Sequence, residues 1–366
     1  MKRVLVDINS TVSWFALGRI DGIGRTTMEL VQAMDSIHDT QSFAIELYSQ
    51  NMKGIGAKDL KTRFKTHHLW MPKRPKFDIW VKRFHLRELL CRYDIMHIPH
   101  NFEDVAKPEK CITTIHDAMF FAYPEEAFNP EFCRREYTKF ARQCRAVLTC
   151  SHSSKRDIVE YMKIPEEKVF VAQWGCNKEL FKPTEEKVDK PFFLSASCDL
   201  GRKNTISLIR AFAVYAEKSN EHDLVLVWRN PPAKIIDEIN SLGISKRVKF
   251  ARNIPDEELA NLYATATATF FPSLYEGFGL PVLESMACGT PVVTCDNSSL
   301  SEVGGEAAWY VEPYDIDTMA DMMLMFDSLP EENMKDLRHR SLEQSHRFSW
   351  EECACKTMEV YKSVLS

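Results

Sequence analysis

The sequence predicts an α/β protein made of two doubly wound, Rossmann-like domains in tandem. The chain has 366 residues, more than one hydrophobic core usually holds. Short apolar runs alternate with amphipathic helical patterns along most of its length, which is typical of parallel sheets built from β-α-β units. The alternation breaks once, around residues 174–191, and then restarts. These three observations together indicate two domains of one class.

The first half contains predicted strands separated by helices. The first strand, RVLVDI, is followed by a loop and by the helical pattern GRTTMELVQAM. Short apolar runs bounded by turn residues are typical of buried parallel strands. The predicted strands lie at 3–8, 43–48, 94–99, 111–117, 146–151 and 168–173. We therefore predict an N-terminal domain at 1–178, followed by a linker at 179–191.

The second half repeats the pattern. Its predicted strands lie at 192–197, 223–228, 247–250, 266–271, 291–295 and 307–312, and its predicted helices at 203–218, 232–242, 256–264, 281–288 and 315–328. We predict a C-terminal domain at 192–348, after which the helical stretch 349–366 ends the chain. Ligands of doubly wound sheets bind beyond the carboxyl ends of the strands, so we expect the site in the loops that follow these strands.

Composition narrows the class of protein. The chain is 45% hydrophobic and 27% charged, with a net charge of -5, which fits a folded soluble protein and disfavours a nucleic-acid partner. Its eleven cysteines include no C-x-x-C pair, which favours a reduced, cytoplasmic chain without structural zinc. The N-terminus lacks a signal-peptide layout, and no apolar stretch reaches the roughly 18 residues of a membrane span. We expect a cytoplasmic protein whose membrane contact, at the inner face, could only be peripheral.

The stretch EGFGLPVLESMACGTPVV at 276–293 combines two glutamates with a glycine turn. Pro281 suits the start of a helix and Gly289 the residue after its end. The N–H groups of such a helix start form a seat for a diphosphate. Glu276 and Glu284 would repel phosphate there, so we expect them to bind sugar hydroxyls. The alternatives are a solvated loop residue for Glu276 and a helix-start acid for Glu284.

Residues 273–304, SLYEGFGLPVLESMACGTPVVTCDNSSLSEVG, resemble the donor-site motif of the retaining GT-B glycosyltransferases of family four, which include bacterial mannosyl- and glucosyltransferases. Other blocks resemble that family in the same order, namely DGIGRTTMELVQAM, TTIHDAMFFAYPE, VLTCSHSSKRDIVEYMKIPEEKVFV, GRKNTISLIRAF and RFSWEECACKTMEVYKSVL. The resemblance implies the GT-B fold, with two Rossmann-like domains facing across a cleft. It also implies that the closing helix packs back on the N-terminal domain.

The resemblance assigns roles within this motif. It implies that Glu276 contacts hydroxyls of the transferred sugar and that Glu284 contacts the ribose of the nucleotide. The backbone N–H groups of Phe278, Gly279 and Leu280 would hold sugar and phosphate oxygens.

A basic pair, Arg202 and Lys203, lies in the loop CDLGRKNT between a predicted strand and a predicted helix. Such a pair can hold a diphosphate leaving group through charge-assisted hydrogen bonds. A solvated surface pair is the alternative, and the resemblance favours the diphosphate role. Some relatives carry an arginine where this chain has Ser197, so we expect a thinner diphosphate clamp or one completed from elsewhere.

Two segments of the N-terminal half are further candidates. Gly22, Gly24 and Arg25 follow the first strand, where glycines let the backbone approach a ligand closely. The resemblance implies that this loop faces the diphosphate and the acceptor. It also implies that His116 contacts the transferred sugar near its reacting carbon, while a hydrogen-bonded structural histidine is the alternative. Asp117 is expected to orient His116 or to stabilise positive charge.

We expect backbone groups near Arg252, Asn253 and Ile254 to contact the base of the nucleotide. No metal or cofactor is expected, since the GT-B fold does not need an Asp-x-Asp metal clamp. Asp315 and Asp317 form such a pattern, but they precede a helical pattern and are predicted to be helix-start acids.

Basic and aromatic residues concentrate at 61–92. Within FDIWVKRFHLRELLCRY, Phe77, Trp80, Val81, Phe84 and Leu89 partly share one helical face, with Lys82, Arg83 and Arg87 towards the other. Two interpretations stay open. The segment is either a core helix or a patch that binds an anionic membrane or a lipid-phosphate acceptor.

The resemblance implies a retaining hexosyltransferase that acts on a nucleotide diphosphate sugar and on a saccharide or lipid-linked saccharide acceptor in surface glycan synthesis. It leans toward mannosyltransferases of surface-polysaccharide assembly, so GDP-mannose is the first donor expected and a UDP-hexose the second. The alternatives are a non-catalytic nucleotide-sugar binding protein and a nucleotide-sugar epimerase. A dinucleotide dehydrogenase is disfavoured, because no G-x-G-x-x-G follows a predicted strand.

Overall fold

A computed structural model of the chain describes residues 1–12, 22–38, 42–186, 188–199 and 201–366. The chain divides into two compact units. The first comprises Met1–Gly175 with Ser349–Ser366, and the second comprises Cys176–Phe348. Each unit has its own parallel sheet. Among the described residues, no helix is both long and apolar enough to cross a membrane.

The first unit is built on a seven-stranded sheet, with strand order β3-β2-β1-β4-β5-β6-β7. Its strands are β1 (Arg3–Asp7), β2 (Ala44–Gln50), β3 (Lys65–Leu69), β4 (Ile95–Ile98), β5 (Cys111–Thr114), β6 (Ala146–Thr149) and β7 (Val169–Val171). Every paired strand runs parallel to its neighbour. The carboxyl ends of all seven strands therefore meet at one edge.

Helices cover this sheet. They are α1 (Gly22–Ile37), α2 (Pro75–Arg83), α3 (Leu86–Leu90), α4 (Met119–Ala122), α5 (Pro130–Phe132), α6 (Thr138–Gln143) and α7 (His152–Met162). Helix α1 illustrates how these helices pack on the sheet. Leu30, Val31 and Met34 recur at helical spacing and are buried against Val4 and Val6 of β1, as expected for an amphipathic helix on a sheet.

The second unit is built on a six-stranded parallel sheet, with strand order β10-β9-β8-β11-β12-β13. Its strands are β8 (Phe192–Ser195), β9 (Asp223–Val227), β10 (Val248–Ala251), β11 (Ala268–Phe271), β12 (Val292–Thr294) and β13 (Ala308–Tyr310). Its helices are α8 (Thr205–Lys218), α9 (Ala233–Ser241), α10 (Asp256–Thr265), α11 (Leu280–Ala287), α12 (Leu300–Gly304), α13 (Ile316–Ser328) and α14 (Glu331–Ser345). Phe193, Phe212 and Phe270 lie in its core.

The last helix, α15 (Trp350–Leu365), belongs to the first unit and packs against α1. Its apolar face buries Trp350, Met358 and Tyr361 in the core of that unit. The Tyr361 hydroxyl bonds Nδ1 of buried His97 at 2.6 Å. A side chain on Gly175 would clash with the backbone where α15 begins, so this close approach requires glycine.

The structure differs from the sequence predictions in three places. Strand β3 was not predicted, because KTHHL is polar and half-exposed and contains no apolar run. The helical stretch predicted around 77–89 is broken at His85, whose φ is 50°. Arg87, predicted on the polar face, is buried instead. Of the predicted loop after β1, residues 13–21 lie outside the described part of the chain.

Candidate active site

The predicted donor-site residues lie at one edge of the second unit. All of its strands run parallel, so the loops after β8, β10, β11 and β12 leave the sheet on the same side. The loop after β8 carries Arg202 and Lys203, and the loop after β11 carries Glu276. Strands β8 and β11 are direct neighbours, which brings these two loops together.

Glu276 lies at the centre of this edge and is only 7% exposed. Its Oε1 atom lies 2.6 Å from Nζ of Lys203 and 2.9 Å from Nη1 of Arg202. The hydroxyl of Ser273 donates a third bond to the same oxygen at 2.7 Å. Both cations are themselves largely buried. The structure therefore brings together three of the predicted site residues in one ion-pair cluster.

The ionisation of Glu276 follows from this environment. Burial on its own raises the pKa of a carboxyl, but the charges of Lys203 and Arg202 outweigh burial and lower the pKa of Glu276 below its ordinary value. Glu276 is therefore a carboxylate at neutral pH. Because the folded pKa lies below 4.5, the stability contributed by this ionisation is present above that pH and is lost as the pH falls through the folded pKa.

Three serines fix the Glu276 loop, and the sequence analysis missed all of them. Besides Ser273, the hydroxyl of Ser298 accepts the Glu276 N–H at 3.0 Å, and the hydroxyl of Ser299 donates to the Glu276 carbonyl at 2.9 Å. Ser298 and Ser299 follow β12. The available signal was the two adjacent serines in NSSL, shortly after a buried strand, because small hydroxyl residues in such loops often form hydrogen bonds with neighbouring loops.

The loop of Arg202 and Lys203 is held by two residues that were also missed. A carboxylate oxygen of Asp199 accepts the N–H of Gly201 at 2.9 Å and that of Lys203 at 3.3 Å. Asn204, with φ of 54°, donates from its side chain to the carbonyl of Pro272 at 3.2 Å. An Asp just after a strand and an Asn just before a helix are typical turn residues.

Helix α11 begins directly beside this cluster. It starts at Leu280, after Gly279 in a left-handed conformation with φ of 105°, which favours glycine. Pro281 is the second helical residue. The N–H groups of Gly279 and Leu280 lie at this start, where an α-helix has no intrahelical acceptors for them. Phe278 is buried in a ring contact with Phe348, so only its backbone could serve a ligand.

The remaining donor-site candidates lie nearby in the sequence or in the sheet. Glu284 is 6% exposed on the second turn of α11, so its side chain is buried close to the start of this helix. Asn253 is exposed and has φ of 51°, and Ile254 is half-buried. Both residues follow β10. In the sheet, β9 lies between β10 and β8. The exposed Ser197 adds no cation to the cluster.

His116 follows β5 in the first unit and is 8% exposed. Its backbone N–H donates to Asn101 at 3.0 Å, and its carbonyl accepts from the hydroxyl of Ser154 at 3.1 Å. Burial, with a smaller contribution from His100, lowers the pKa of His116 to about 4. The imidazole is therefore neutral at neutral pH. Its ring lies 5.3 Å from that of Trp174.

A small cavity of about 20 Å³ lies beside His116. Among the described residues, neither ring nitrogen of His116 has a hydrogen-bond partner of ordinary geometry, although a weaker hydrogen bond with the backbone of Pro99 partly offsets the lowering of its pKa. Thr26 and Thr27 of α1 line the same cavity. The structure therefore brings His116 close to the helix that Gly22, Gly24 and Arg25 open. Asp117 accepts the N–H of Met119 at 3.0 Å, at the start of α4.

Two sets of residues contain acidic side chains of the kind that can bind a metal ion. Asp315 caps α13 by accepting the N–H of Thr318 at 3.0 Å, which explains one member of the Asp-x-Asp pattern as a helix-start acid. Asp7, His100 and Glu103 place ligand atoms within 4.8 Å of one another. Glu103, however, already accepts from two cations, Lys73 at 2.5 Å and Arg87 at 3.0 Å. A metal ion would have to compete with both, so we assign none.

Two family models match the chain. The model described as "Glycosyltransferase Family 4" matches residues 20–180, and the model described as "Glycosyl transferases group 1" matches residues 177–341. Together they span both units. The second match includes every residue of the Glu276 cluster, and the first includes His116.

The relatives that the chain resembles include two proteins named as mannosyltransferases. The chain is 27% identical to O-antigen chain mannosyltransferase B of Escherichia coli, over 79% of the chain and 77% of that protein. It is 35% identical to the MMP alpha-(1->4)-mannosyltransferase of Mycolicibacterium hassiacum, over 62% of the chain and 56% of that protein.

Among solved structures, sucrose-phosphate synthase from Thermosynechococcus elongatus aligns with a TM-score of 0.75 at 18% identity, covering 99% of both chains. The predicted GT-B fold class, with two Rossmann-like domains, is confirmed. With both glycosyltransferase models matched in order along residues 20–341, the comparisons support a glycosyltransferase of family 4.

Proposed function

We propose that the protein is a retaining glycosyltransferase that transfers a hexose from a nucleotide diphosphate sugar to a saccharide or lipid-linked saccharide hydroxyl. The observation that carries the proposal is the buried carboxylate of Glu276, held by Lys203 at 2.6 Å and Arg202 at 2.9 Å beside the start of α11. A protein rarely buries two cations and a carboxylate at a strand end without a use for them.

The arrangement suggests how a donor would enter. With no donor bound, Glu276 neutralises Arg202 and Lys203. A diphosphate is the stronger partner for two adjacent cations, because its oxygens carry more charge and accept several charge-assisted hydrogen bonds. As the diphosphate engages the cations and the start of α11, the carboxylate of Glu276 is released to accept hydrogen bonds from sugar hydroxyls.

The proposed chemistry needs no covalent intermediate. The acceptor oxygen bonds to the anomeric carbon on the face from which the leaving group departs, and the bond from that carbon to the phosphate oxygen breaks. The acceptor proton moves to a phosphate oxygen of the donor, so the products are a glycoside and a nucleoside diphosphate. Arg202, Lys203 and the N–H groups at Gly279 and Leu280 would stabilise the charge that develops on the leaving group.

Other roles follow the same proposal. Glu284 would bind the ribose, and backbone groups at Phe278, Asn253 and Ile254 would contact the rest of the donor. In the first unit, neutral His116 can donate from one ring nitrogen and accept at the other, which suits a sugar hydroxyl. Gly22, Gly24, Arg25 and Asp117 are proposed to serve the diphosphate and the acceptor. Because the cations supply the positive charge, the reaction would proceed without a metal ion.

We propose GDP-mannose as the donor and surface glycan synthesis as the process. The support is that the relatives in Escherichia coli and Mycolicibacterium hassiacum are named mannosyltransferases, the first of them of the O-antigen chain. A UDP-hexose is the second candidate donor.

The test is product analysis. The protein is incubated with GDP-mannose or UDP-glucose and a mannoside acceptor, and the anomeric configuration of the new linkage is read by NMR. The proposal expects GDP release matched by a glycoside with the α configuration of the donor. An inverted linkage would contradict retention. An altered nucleotide sugar without a glycoside would identify an epimerase, and donor binding without any product a non-catalytic binding protein.

A further inference from the structure

The surface of residues 70–92, which we call the docking segment, has an unusual composition. Its exposed members are all apolar or basic, namely Trp70, Lys73, Arg74, Lys76, Ile79, Trp80, Lys82, Arg83, Phe84, His85, Leu89, Leu90 and Arg92. Ile79 is 59% exposed, Trp80 56% and Leu89 78%. Single exposed apolar residues are ordinary, but a concentration of large ones marks an interaction surface.

The acidic residues of the docking segment do not balance this charge at the surface. Asp78 is half-buried and accepts from Gln50 at 2.8 Å. Glu88 is half-buried and accepts from the hydroxyl of Tyr93 at 3.0 Å. Among the described cations of the segment that are exposed, two are paired: Lys82 with Asp104 at 2.5 Å, and Lys73 with Glu103 at 2.5 Å and Asp78 at 3.7 Å.

Four other cations are therefore available to a partner. Arg74, Lys76, Arg83 and Arg92 are exposed and have no ion pair with another described residue. They lie in the same segment as the exposed apolar side chains, so the segment presents positive charge and apolar area together.

Helix α2 displays this surface on a fixed support. Val81 is 3% exposed and anchors the helix on its unit. On the opposite stripe, Lys76, Trp80 and Arg83 recur at helical spacing and face solvent, as positions i, i+4 and i+7 share a face. The ring of Trp80 stacks on that of Phe84 at 5.2 Å, so the apolar part is pre-organised.

We propose that the docking segment binds the surface of an anionic lipid bilayer. Aromatic rings flanked by lysine and arginine are the combination that settles at the boundary between headgroups and acyl chains. The cations attract anionic headgroups, while a protein partner would have to match both an apolar stripe and dispersed positive charge. This binding does not require the proposed transferase activity, but it would bring the enzyme to a lipid-linked acceptor and so specifies the class of that acceptor.

The experiment measures co-sedimentation of the full-length chain with lipid vesicles. One set is phosphatidylcholine alone and the other contains about one third phosphatidylglycerol, an anionic surface of the kind that polybasic segments recognise. We expect binding to the anionic vesicles, weak binding to the neutral ones, and loss of binding as sodium chloride rises towards about 0.5 M, where charges are screened within a few ångströms.

Two double variants test the two components. Lys76→Glu with Arg83→Glu, and Trp80→Ser with Phe84→Ser, should each lower the partition coefficient about tenfold or more. The matched controls are Lys58→Glu with Lys110→Glu, two exposed lysines of the same unit, and Phe128→Ser, whose side chain is fully exposed. The controls should bind vesicles as the unaltered chain does.

The outcomes separate clearly. Equal binding to both vesicle types, no binding to either, or binding unchanged in the double variants would overturn the proposal. So would a concentration-dependent dimer that the Trp80 and Phe84 substitutions abolish, because the surface would then be a contact between copies. GDP binding, measured on the same variants, should remain as in the unaltered chain. Its absence from every form would count against the proposed transferase and not against the docking segment.

Discussion

A single carboxylate oxygen of Glu276 contacts three donors, and this buried ion-pair cluster is where the second unit concentrates charge at its strand ends. Two cations and a serine hydroxyl converge on it within 3 Å. Such a cluster is stable without a ligand, yet it contains the charges that a diphosphate and a sugar would need. At the scale of residues, the account therefore rests on an exchange of partners, in which the diphosphate replaces Glu276 on the cations.

This exchange makes an unusual prediction for Glu276→Gln. The amide keeps the size of the side chain but no longer attracts Arg202 and Lys203. We expect transfer to fall by about 100-fold or more, while GDP binds about tenfold more tightly, since the phosphates no longer compete with a carboxylate. Calorimetric titration and a coupled GDP-release assay measure the two effects. Weaker GDP binding together with near-normal turnover would exclude the exchange.

Lys203→Ala tests the other side of the ion pair. It removes a cation that is proposed to hold the leaving group, so turnover should fall by about 100-fold or more, with a circular dichroism spectrum like that of the unaltered chain. Lys234→Ala, on an exposed lysine of the same unit, is the matched control and should keep its rate. Equal rates in the two variants would remove Lys203 from the proposed site.

Two buried histidines predict how stability depends on pH. Burial lowers the pKa of His97 to about 3 and that of His116 to about 4, from 6.5. Each stays neutral when folded but gains a proton when unfolded below pH 6.5. Their contribution to stability is therefore complete above that pH and is lost as the pH falls from 6.5 towards 4, by up to about 1.4 kcal/mol per pH unit for each histidine.

The measurement is urea unfolding between pH 7 and pH 5. His97→Gln should flatten the dependence of the unfolding free energy on pH relative to the unaltered chain. Carboxylates add to the slope in every form, so the comparison between variants carries the result. An identical slope in His97→Gln and the unaltered chain would contradict the assignment.

Among the secondary-structure elements, the apolar ones were predictable and the polar ones were not. Strands β8 and β11 are short buried runs that the sequence marks clearly, and so the loops of Lys203 and Glu276 could be predicted as parts of a site. Strand β3 and the break at His85 lack an apolar pattern. The contact between Lys203 and Glu276 spans 73 residues, and no local pattern encodes which cation a carboxylate will meet.

The close approach of Gly175 to α15 gives a prediction about this helix. Gly175→Ala would push a methyl group into the backbone at Ser349 and Trp350, so α15 must shift. We expect a loss of about 1–3 kcal/mol in the unfolding free energy of the first unit. Gly22→Ala, where nothing lies within 4 Å of the added carbon, is the control and should cost less. Equal stability of the two variants in urea would show that the approach is not tight.

On the scale of the whole molecule, two units with separate cores imply that a ligand of one unit need not stabilise the other equally. A donor held by the Glu276 cluster should protect the loops after β8 and β11 from hydrogen exchange. With GDP at 100 times its dissociation constant, the second unit should gain about 2.7 kcal/mol. Mass spectrometry of exchanged peptides locates the effect. Protection confined to the first unit would contradict the proposed location of the nucleotide.

The most direct test of the account is calorimetric titration of GDP, guanosine, UDP and ADP into the unaltered chain and into Lys203→Ala. The account predicts that GDP binds best of the three diphosphates. It also predicts that Lys203→Ala weakens GDP by about tenfold or more, a loss of about 1.4 kcal/mol, while guanosine binds both forms alike. Selective UDP binding would correct the donor and keep the site. Two results would contradict the central claim that this cluster holds a nucleotide diphosphate sugar. One is that no diphosphate binds, and the other is that Lys203→Ala binds GDP with the same affinity as the unaltered chain.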